Sequence, residues 1–107
     1  MISEEELLKY LSGFDDISSE EHKEERKTFT IYKKNDKIML VIHKDTKPLR
    51  IETRCDYKLS KNLQEKFESV MESKALGRNG IEIICSGQLE ADEVLDLVRH
   101  AYEKVSE

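Results

Sequence analysis

Apolar and polar residues alternate along three consecutive segments of this chain, which is the pattern of half-buried β-strands. The segments are 28–34, 37–43 and 49–55. Asn35 and Asp36 separate the first two, and because both tolerate positive φ they predict a two-residue hairpin turn. In the third segment Arg50, Glu52 and Arg54 are expected to face outward. These runs predict an antiparallel arrangement of adjacent strands.

Three other segments repeat apolar residues at intervals of three and four, which predicts amphipathic helices. The predicted helices cover 4–12, 57–69 and 90–105. Ser3 and Glu6 form a capping box for the first helix, and Asp56 is the expected N-cap of the second. Strands 70–76 and 81–85 flank the turn Gly77-Arg78-Asn79-Gly80, which predicts a second hairpin.

The resulting order is α-β-β-β-α-β-β-α, a single α+β domain over residues 1–107 with a mostly antiparallel sheet and two hairpins. The core is expected over 26–105. Residues 1–25 are expected to form an acidic N-terminal helix and linker, in which 15–25 is a loop or an extra solvated turn. With 107 residues the chain is long enough for one hydrophobic core and too short for a second.

Charge is divided unevenly along the chain. Residues 1–25 carry a net −7, residues 26–78 carry +7, and residues 79–107 carry −5, which gives −5 overall. A basic middle between acidic ends indicates either an anionic partner for one surface or two halves that attract each other.

The basic middle leads to a nucleic-acid hypothesis. Its candidate contacts are Lys33, Lys34 and Lys37 at the first hairpin, Arg50 and Arg54 on the third strand, and Arg78 at the second hairpin. Lys58 and Lys61 share a helix face, and Tyr32 could add base stacking. Two hairpin tips and a basic strand would form a saddle that contacts phosphates, as DNA binding requires. The alternative is that lysines at turns and edge strands only maintain solubility, and the net −5 argues against binding.

A second hypothesis concerns the opposite face of the sheet, where Met39, Val41 and Ile84 alternate out of phase with the main core. Apolar residues on both faces require a cover for the second one. The first helix is the simplest cover, and a homodimer or a partner protein is the alternative. A third hypothesis is a small-molecule pocket near Tyr102.

Catalytic and metal-binding motifs are not recognisable. His22, His43 and His100 are not paired with carboxylates or cysteines at a known motif spacing, so each is interpreted as a surface histidine. Cys55 and Cys85 are expected to be buried thiols, with a redox pair as the alternative. We therefore expect a non-enzymatic protein without a metal or cofactor. The acidic N-terminus and the absence of a long apolar run predict a cytoplasmic protein that does not associate with membranes.

Motifs in the second half resemble the MmcQ/YjbR-like family. They are Arg54-Cys55-Asp56 at a strand-to-helix junction, Leu59, Leu63 and Phe67 at four-residue spacing, and Leu97-Val98-Arg99-His100-Ala101-Tyr102 in the last helix. The resemblance covers about residues 49–105. Where the family typically has a tryptophan in its second hairpin, this chain has Gly77-Arg78-Asn79-Gly80. The resemblance implies a double-wing fold, like that of the C-terminal domain of the phage transcription factor MotA, and DNA binding by analogy with that fold.

Overall fold

Over residues 1–44 and 46–107, the computed structural model of the chain contains three helices and six strands in one antiparallel sheet. The elements are α1 (Glu4–Leu11), β1 (Ser18–Glu24), β2 (Lys27–Lys34), β3 (Lys37–His43), β4 (Arg50–Arg54), α2 (Tyr57–Lys66), β5 (Val70–Ser73), β6 (Gly77–Ile84) and α3 (Ala91–Val105). The predicted α+β class is confirmed. No helix in these residues is both long and apolar enough to span a bilayer.

The strands lie in the order β1-β2-β3-β4-β6-β5. β1 was not predicted, because the segment 15–25 lacks alternating apolar residues. All seven residues of β1 pair with β2, from Ser18 opposite Lys33 to Glu24 opposite Lys27, and almost all their side chains are exposed. An edge strand of this kind is held by backbone hydrogen bonds that leave no hydrophobic pattern in the sequence.

All three helices pack on one face of the sheet, and together they enclose the main core. The core contains Leu7 and Leu11 of α1, Val94 and Val98 of α3, and sheet residues such as Ile42, Ile51 and Ile83. Phe14, just after α1, stacks on Tyr102 of α3 with ring centroids 4.4 Å apart. The prediction that the first helix covers the opposite face is therefore wrong, because α1 packs beside α3.

The opposite face, which we call the open face, carries alternate residues of the central strands. The register brings Ile31, Val41, Glu52 and Glu82 into one row across the sheet. Met39 was expected beside Val41 but is fully buried in the main core. The register shifts between Tyr32 and Lys33, so Met39 is the extra residue of a bulge. A bulge changes the face to which a side chain points, and strict alternation does not anticipate it.

The two hairpins predicted from the sequence, β2–β3 and β5–β6, each contain residues that the backbone geometry restricts. Asn35 and Asp36 have φ values of 54° and 62°, as expected for a two-residue turn with positive φ. In the second hairpin the turn falls at 74–76 rather than at 77–80, because β6 begins at Gly77. A Cβ on Gly80 would lie 2.7 Å from the Leu76 side chain and 2.9 Å from the carbonyl oxygen of Thr53. Gly80 is thus required for close packing of the hairpin on β4.

Candidate functional site

Eight cationic residues lie together at one end of the sheet. β2 ends there, β3 begins there, β4 ends there, and β6, α2 and the last turn of α3 meet it. Contacts between elements fix this arrangement, since the Asn35 side chain donates to the Val105 carbonyl at 3.0 Å and Arg54 Nε donates to the Ile38 carbonyl at 2.7 Å. We call this set the basic end: Lys33, Lys34, Lys37, Arg54, Lys58, Lys61, Arg78 and Lys104.

Several members of the basic end are already engaged within the protein. Lys34 Nζ donates to Tyr102 Oη at 3.0 Å and to Ser106 Oγ at 2.9 Å, and it lies 4.2 Å from the Tyr102 ring centroid. Lys33 Nζ is 3.4 Å from a Glu20 carboxylate oxygen. Burial lowers the pKa of Arg54. Lys34 thus joins β2 to α3, Lys33 joins β2 to β1, and Arg54 joins β4 to β3. The charge of these three side chains is only partly available to a ligand.

Four cations of the basic end remain exposed. Lys37, Lys58, Lys61 and Arg78 form no ion pair with any residue that the structure describes. The first turn of α2 contains no acidic residue, and the Asp56 side chain makes no capping hydrogen bond to it. The lysines and the helix dipole both contribute positive charge at the start of α2, and the Asp56 carboxylate there lies 4.0 Å from Lys104 Nζ.

Tyr57, the first residue of α2, is 42% exposed and stands among these cations. The Arg78 guanidinium carbon lies 4.4 Å from its ring centroid, and Lys61 Nζ lies 5.8 Å from it. Tyr57 was not among the residues expected to bind. The sequence could have revealed it, because Tyr57 is a large aromatic residue at the first position of a predicted helix and Lys58 and Lys61 follow it. Tyr32, which was expected to stack on bases, instead packs against the core, and burial raises its pKa.

Arg50 does not belong to the basic end. It lies at the opposite end of β4, where its Nε is 3.2 Å from Oε2 of Glu82. Glu82 is 2% exposed, and among the described residues this oxygen has no hydrogen-bond partner, so the contact is an ion pair only. Arg50 is thus the charge partner of a buried carboxylate. Five of the six predicted nucleic-acid contacts come together at one end, and Arg50 does not.

The open face holds a second polar group, the pair of His43 and Glu52. His43 Nε2 donates to a Glu52 carboxylate oxygen at 2.7 Å, and the other oxygen accepts from Ser73 Oγ at 2.8 Å and from the Ala75 backbone N–H at 2.9 Å. Burial alone would raise the pKa of Glu52, but the hydrogen bonds from His43, Ala75 and Ser73 outweigh it and lower the pKa to about 2. Glu52 therefore stays ionised and fixes the orientation of the His43 ring.

This pair corrects two expectations, that Glu52 faces solvent and that His43 is an isolated surface histidine. The two residues are nine positions apart and meet because β3 and β4 pair with Val41 opposite Glu52. A signal was present in the sequence, because a glutamate flanked by Ile51 and Thr53 in a central strand is unusual unless the strand buries and pairs it. Of the residues expected to mediate protein contacts, Val41 is 2% exposed beside this pair, and Ile84 is half-buried at the far end of β6.

Other expected sites have structural partners. β4 and β6 place Cys55 opposite Asn79 and Cys85 opposite Leu49, at the two ends of the paired strands, so the thiols are too far apart for a disulfide. Tyr102 stacks on Phe14 and donates to the Asp15 carbonyl at 2.9 Å, so these contacts fill the position of the small-molecule pocket expected there. His100 Nε2 accepts from the Asp56 backbone N–H at 3.3 Å rather than facing solvent alone.

Comparison with known proteins supports the fold. No protein-family model matches the chain, and no curated protein matches it. Among solved structures, the chain is similar to the Deinococcus radiodurans protein DR2400, which carries the domain DUF419. The TM-score is 0.82 at 16% sequence identity, over 96% of this chain and 78% of that protein. DUF419 is part of the MmcQ/YjbR-like family, so the structural neighbour agrees with the resemblance found in the motifs.

Proposed function

We propose that this protein is a non-catalytic nucleic-acid-binding module of the MmcQ/YjbR-like type, and that it contacts its ligand at the basic end. The observation that carries the proposal is the exposed Tyr57 ring with Arg78 and Lys61 close to it. An aromatic face beside several free cations is the combination with which proteins bind single-stranded nucleic acids, because the ring stacks on a base while the cations neutralise phosphates.

The basic end and the saddle predicted from the sequence differ in the ligand that we expect each surface to bind. Lys37 and Arg78 mark the two hairpins, and Lys58 and Lys61 lie on the helix between them. With four free cations, neutralisation of about four phosphates predicts a slope of about −3 in log affinity against log salt for a single strand. Stacking on Tyr57 requires an unpaired base, so the proposal predicts tighter binding of single strands than of duplexes.

Titration of the protein with labelled single-stranded and double-stranded oligonucleotides, by fluorescence anisotropy at several salt concentrations, tests the proposal. The variant Lys58→Ala/Lys61→Ala/Arg78→Ala should lower the salt slope to about −1, since one free cation remains. The matched control Arg26→Ala/Lys44→Ala/Lys47→Ala removes the same charge from outside the basic end and should leave the slope unchanged. Equal weakening by both variants would show that only net charge matters.

Replacement of Tyr57 separates stacking from charge. Tyr57→Ala should weaken single-strand binding by about 1–3 kcal/mol, the usual contribution of one stacked base, and leave duplex binding nearly unchanged. The control is Tyr10→Ala, which removes a ring from the helix α1. If the protein binds no nucleic acid even at low salt, the proposal fails and a protein partner or a homodimer becomes the leading hypothesis.

A further inference from the structure

The strand β1 forms one edge of the sheet, and its outer side is free. Ser18 to Glu24 pair with β2 in unbroken register, so alternate residues of β1 point their backbone N–H and C=O groups away from the sheet. Apart from β2, no element of the described chain forms a backbone hydrogen bond with β1. The other edge strand, β5, has only four residues and a register shift after Glu72. Short length and bulges protect an edge from added strands, and β1 has neither.

A notch of about 290 Å³ lies between the start of β1 and the helix α1. Leu8, Phe14 and Ile17 give it an apolar lining, and Ser19 and Tyr32 line it from the sheet. Leu8 is 39% exposed, so a large apolar side chain is in contact with solvent here. The volume is close to the lower limit of small-molecule pockets, and the notch has room for one large side chain.

The pairing of β1 with β2 shows which face each side chain of β1 takes. Ser19 lies opposite Tyr32, which packs on the core, so Ser19 is on the helix side together with the notch. Glu20 and Glu24 are out of phase with Ser19 and therefore lie on the open face. A strand added to β1 places one side chain about 5 Å from Ser19, at the notch, and its neighbours in sequence on the open face.

The free edge is acidic. Residues 15–25 contain six acidic residues and one lysine, which gives a net −5. Glu21 and Glu24 are exposed, and neither forms an ion pair with a described residue, whereas Glu20 contacts Lys33. Two edges with this charge repel each other, so the charge favours a basic partner over a second copy of the chain.

We propose that β1 binds an extended segment of another protein, which adds to the sheet as a further strand. The segment alternates apolar and basic residues. An apolar side chain enters the notch beside Ser19, and lysine or arginine side chains lie on the open face near Glu20 and Glu24. Backbone hydrogen bonds supply affinity, and the notch and the acids select the sequence. The free cations of the basic end take no part, so this proposal is independent of nucleic-acid binding.

The test is an NMR titration of the ¹⁵N-labelled chain with synthetic peptides. The reference probe is acetyl-Lys-Leu-Lys-Thr-Lys-Leu-Lys-amide, which has the proposed alternation in either direction. We expect it to shift the amide signals of β1 and of the notch. The same peptide with serine in place of leucine should bind about tenfold more weakly, because the notch then receives no apolar side chain. A peptide with N-methylated amides keeps the side chains but cannot donate backbone hydrogen bonds, and it should not bind.

Variants of the chain locate the contacts. Leu8→Ser should weaken binding of the leucine peptide and leave that of the serine peptide unchanged. Glu20→Gln/Glu24→Gln should weaken the reference peptide about fivefold, the effect of two exposed ion pairs. The matched control Glu65→Gln/Glu68→Gln removes the same charge from exposed positions outside β1 and should bind as the wild type does. The same spectra report whether each variant is folded.

Four results would overturn the proposal. They are the absence of β1 shifts at millimolar peptide, equal binding of the N-methylated peptide, equal binding of a peptide with glutamate in place of lysine, and β1 shifts on dilution of the protein alone. The last result would assign the edge to a second copy of the chain. Lys58→Ala/Lys61→Ala/Arg78→Ala should still bind the reference peptide, which separates this proposal from nucleic-acid binding at the basic end.

Discussion

Acid should destabilise this protein in part by protonating one buried residue, Glu52. Its pKa is lowered from an ordinary value of 4.5 to about 2 in the folded protein. Because the folded pKa lies below the unfolded one, the carboxylate stabilises the fold at pH values above about 5, and this contribution is lost as the pH falls toward 2. A shift of this size corresponds to about 3 kcal/mol at neutral pH.

The perturbation is Glu52→Gln, which keeps the shape of the side chain and removes the charge. Urea unfolding of the wild type and the variant should be measured from pH 7 to pH 3. At pH 7 the variant should be less stable by about 3 kcal/mol, since the three donors then face a neutral amide. Between pH 5 and pH 3 the unfolded wild-type chain takes up a proton on Glu52 while the folded protein keeps it ionised, and the variant has no group to protonate there. The difference in unfolding free energy should therefore narrow by about 2 kcal/mol.

The difference in unfolding free energy between the wild type and Glu52→Gln reports on Glu52, because every other carboxylate titrates in both proteins. Glu72→Gln, which changes an exposed residue of β5, is the matched control, and its unfolding free energy should stay parallel to that of the wild type. A difference between wild type and Glu52→Gln that is constant over the whole pH range would refute the reasoning. It would mean that Ser73 and Ala75 do not hold the carboxylate in its ionised form.

Three further outcomes test the packing. Gly80→Ala should destabilise by about 1–3 kcal/mol in urea unfolding, because its Cβ would overlap the Leu76 side chain and the Thr53 carbonyl oxygen; an unchanged midpoint would contradict the close approach. Tyr102→Phe should cost about 1 kcal/mol through loss of its hydroxyl contacts, and no loss would show that stacking alone holds α3. Burial raises the pKa of both Cys55 and Cys85 to about 11, so a thiol reagent at pH 8 should react with them only after unfolding, and fast labelling of the native protein would disagree.

The sequence predicted helices and strands well wherever burial of one face makes apolar residues recur at a regular spacing. β3 was expected at 37–43 and spans Lys37–His43, because its apolar residues alternate against a packed core. β1 was missed for the opposite reason, since both sides of an edge strand contact water. Met39 was placed on the wrong face because a bulge depends on how two strands pair, and neither strand alone encodes that pairing.

The candidate sites were predictable only in part, because they depend on strand order. The basic residues of the middle of the chain were identified, and antiparallel connections then bring the ends of β2 and β4 and the starts of β3 and β6 to one place. Arg50 belongs to the same strand as Arg54 but lies at its other end, which no local pattern reveals. The pairing of His43 with Glu52 likewise requires the β3–β4 register.

The net charge of −5 is a weak argument against binding at the basic end, because charges act over a limited distance in salt. The domain measures 33 × 31 × 25 Å, whereas the screening length is about 8 Å at physiological ionic strength. Glu90, Asp92 and Glu93 lie at the start of α3, and its other end reaches the basic end. At about 0.01 M salt the screening length grows to about 30 Å, and these acids then repel a phosphate chain bound at the far end. Log affinity plotted against log salt should therefore be steep near 0.1 M and flatten toward 0.01 M. If log affinity instead fell in a straight line over the whole salt range, this reasoning would be wrong. The ligand would then contact a surface where acidic and basic residues are mixed.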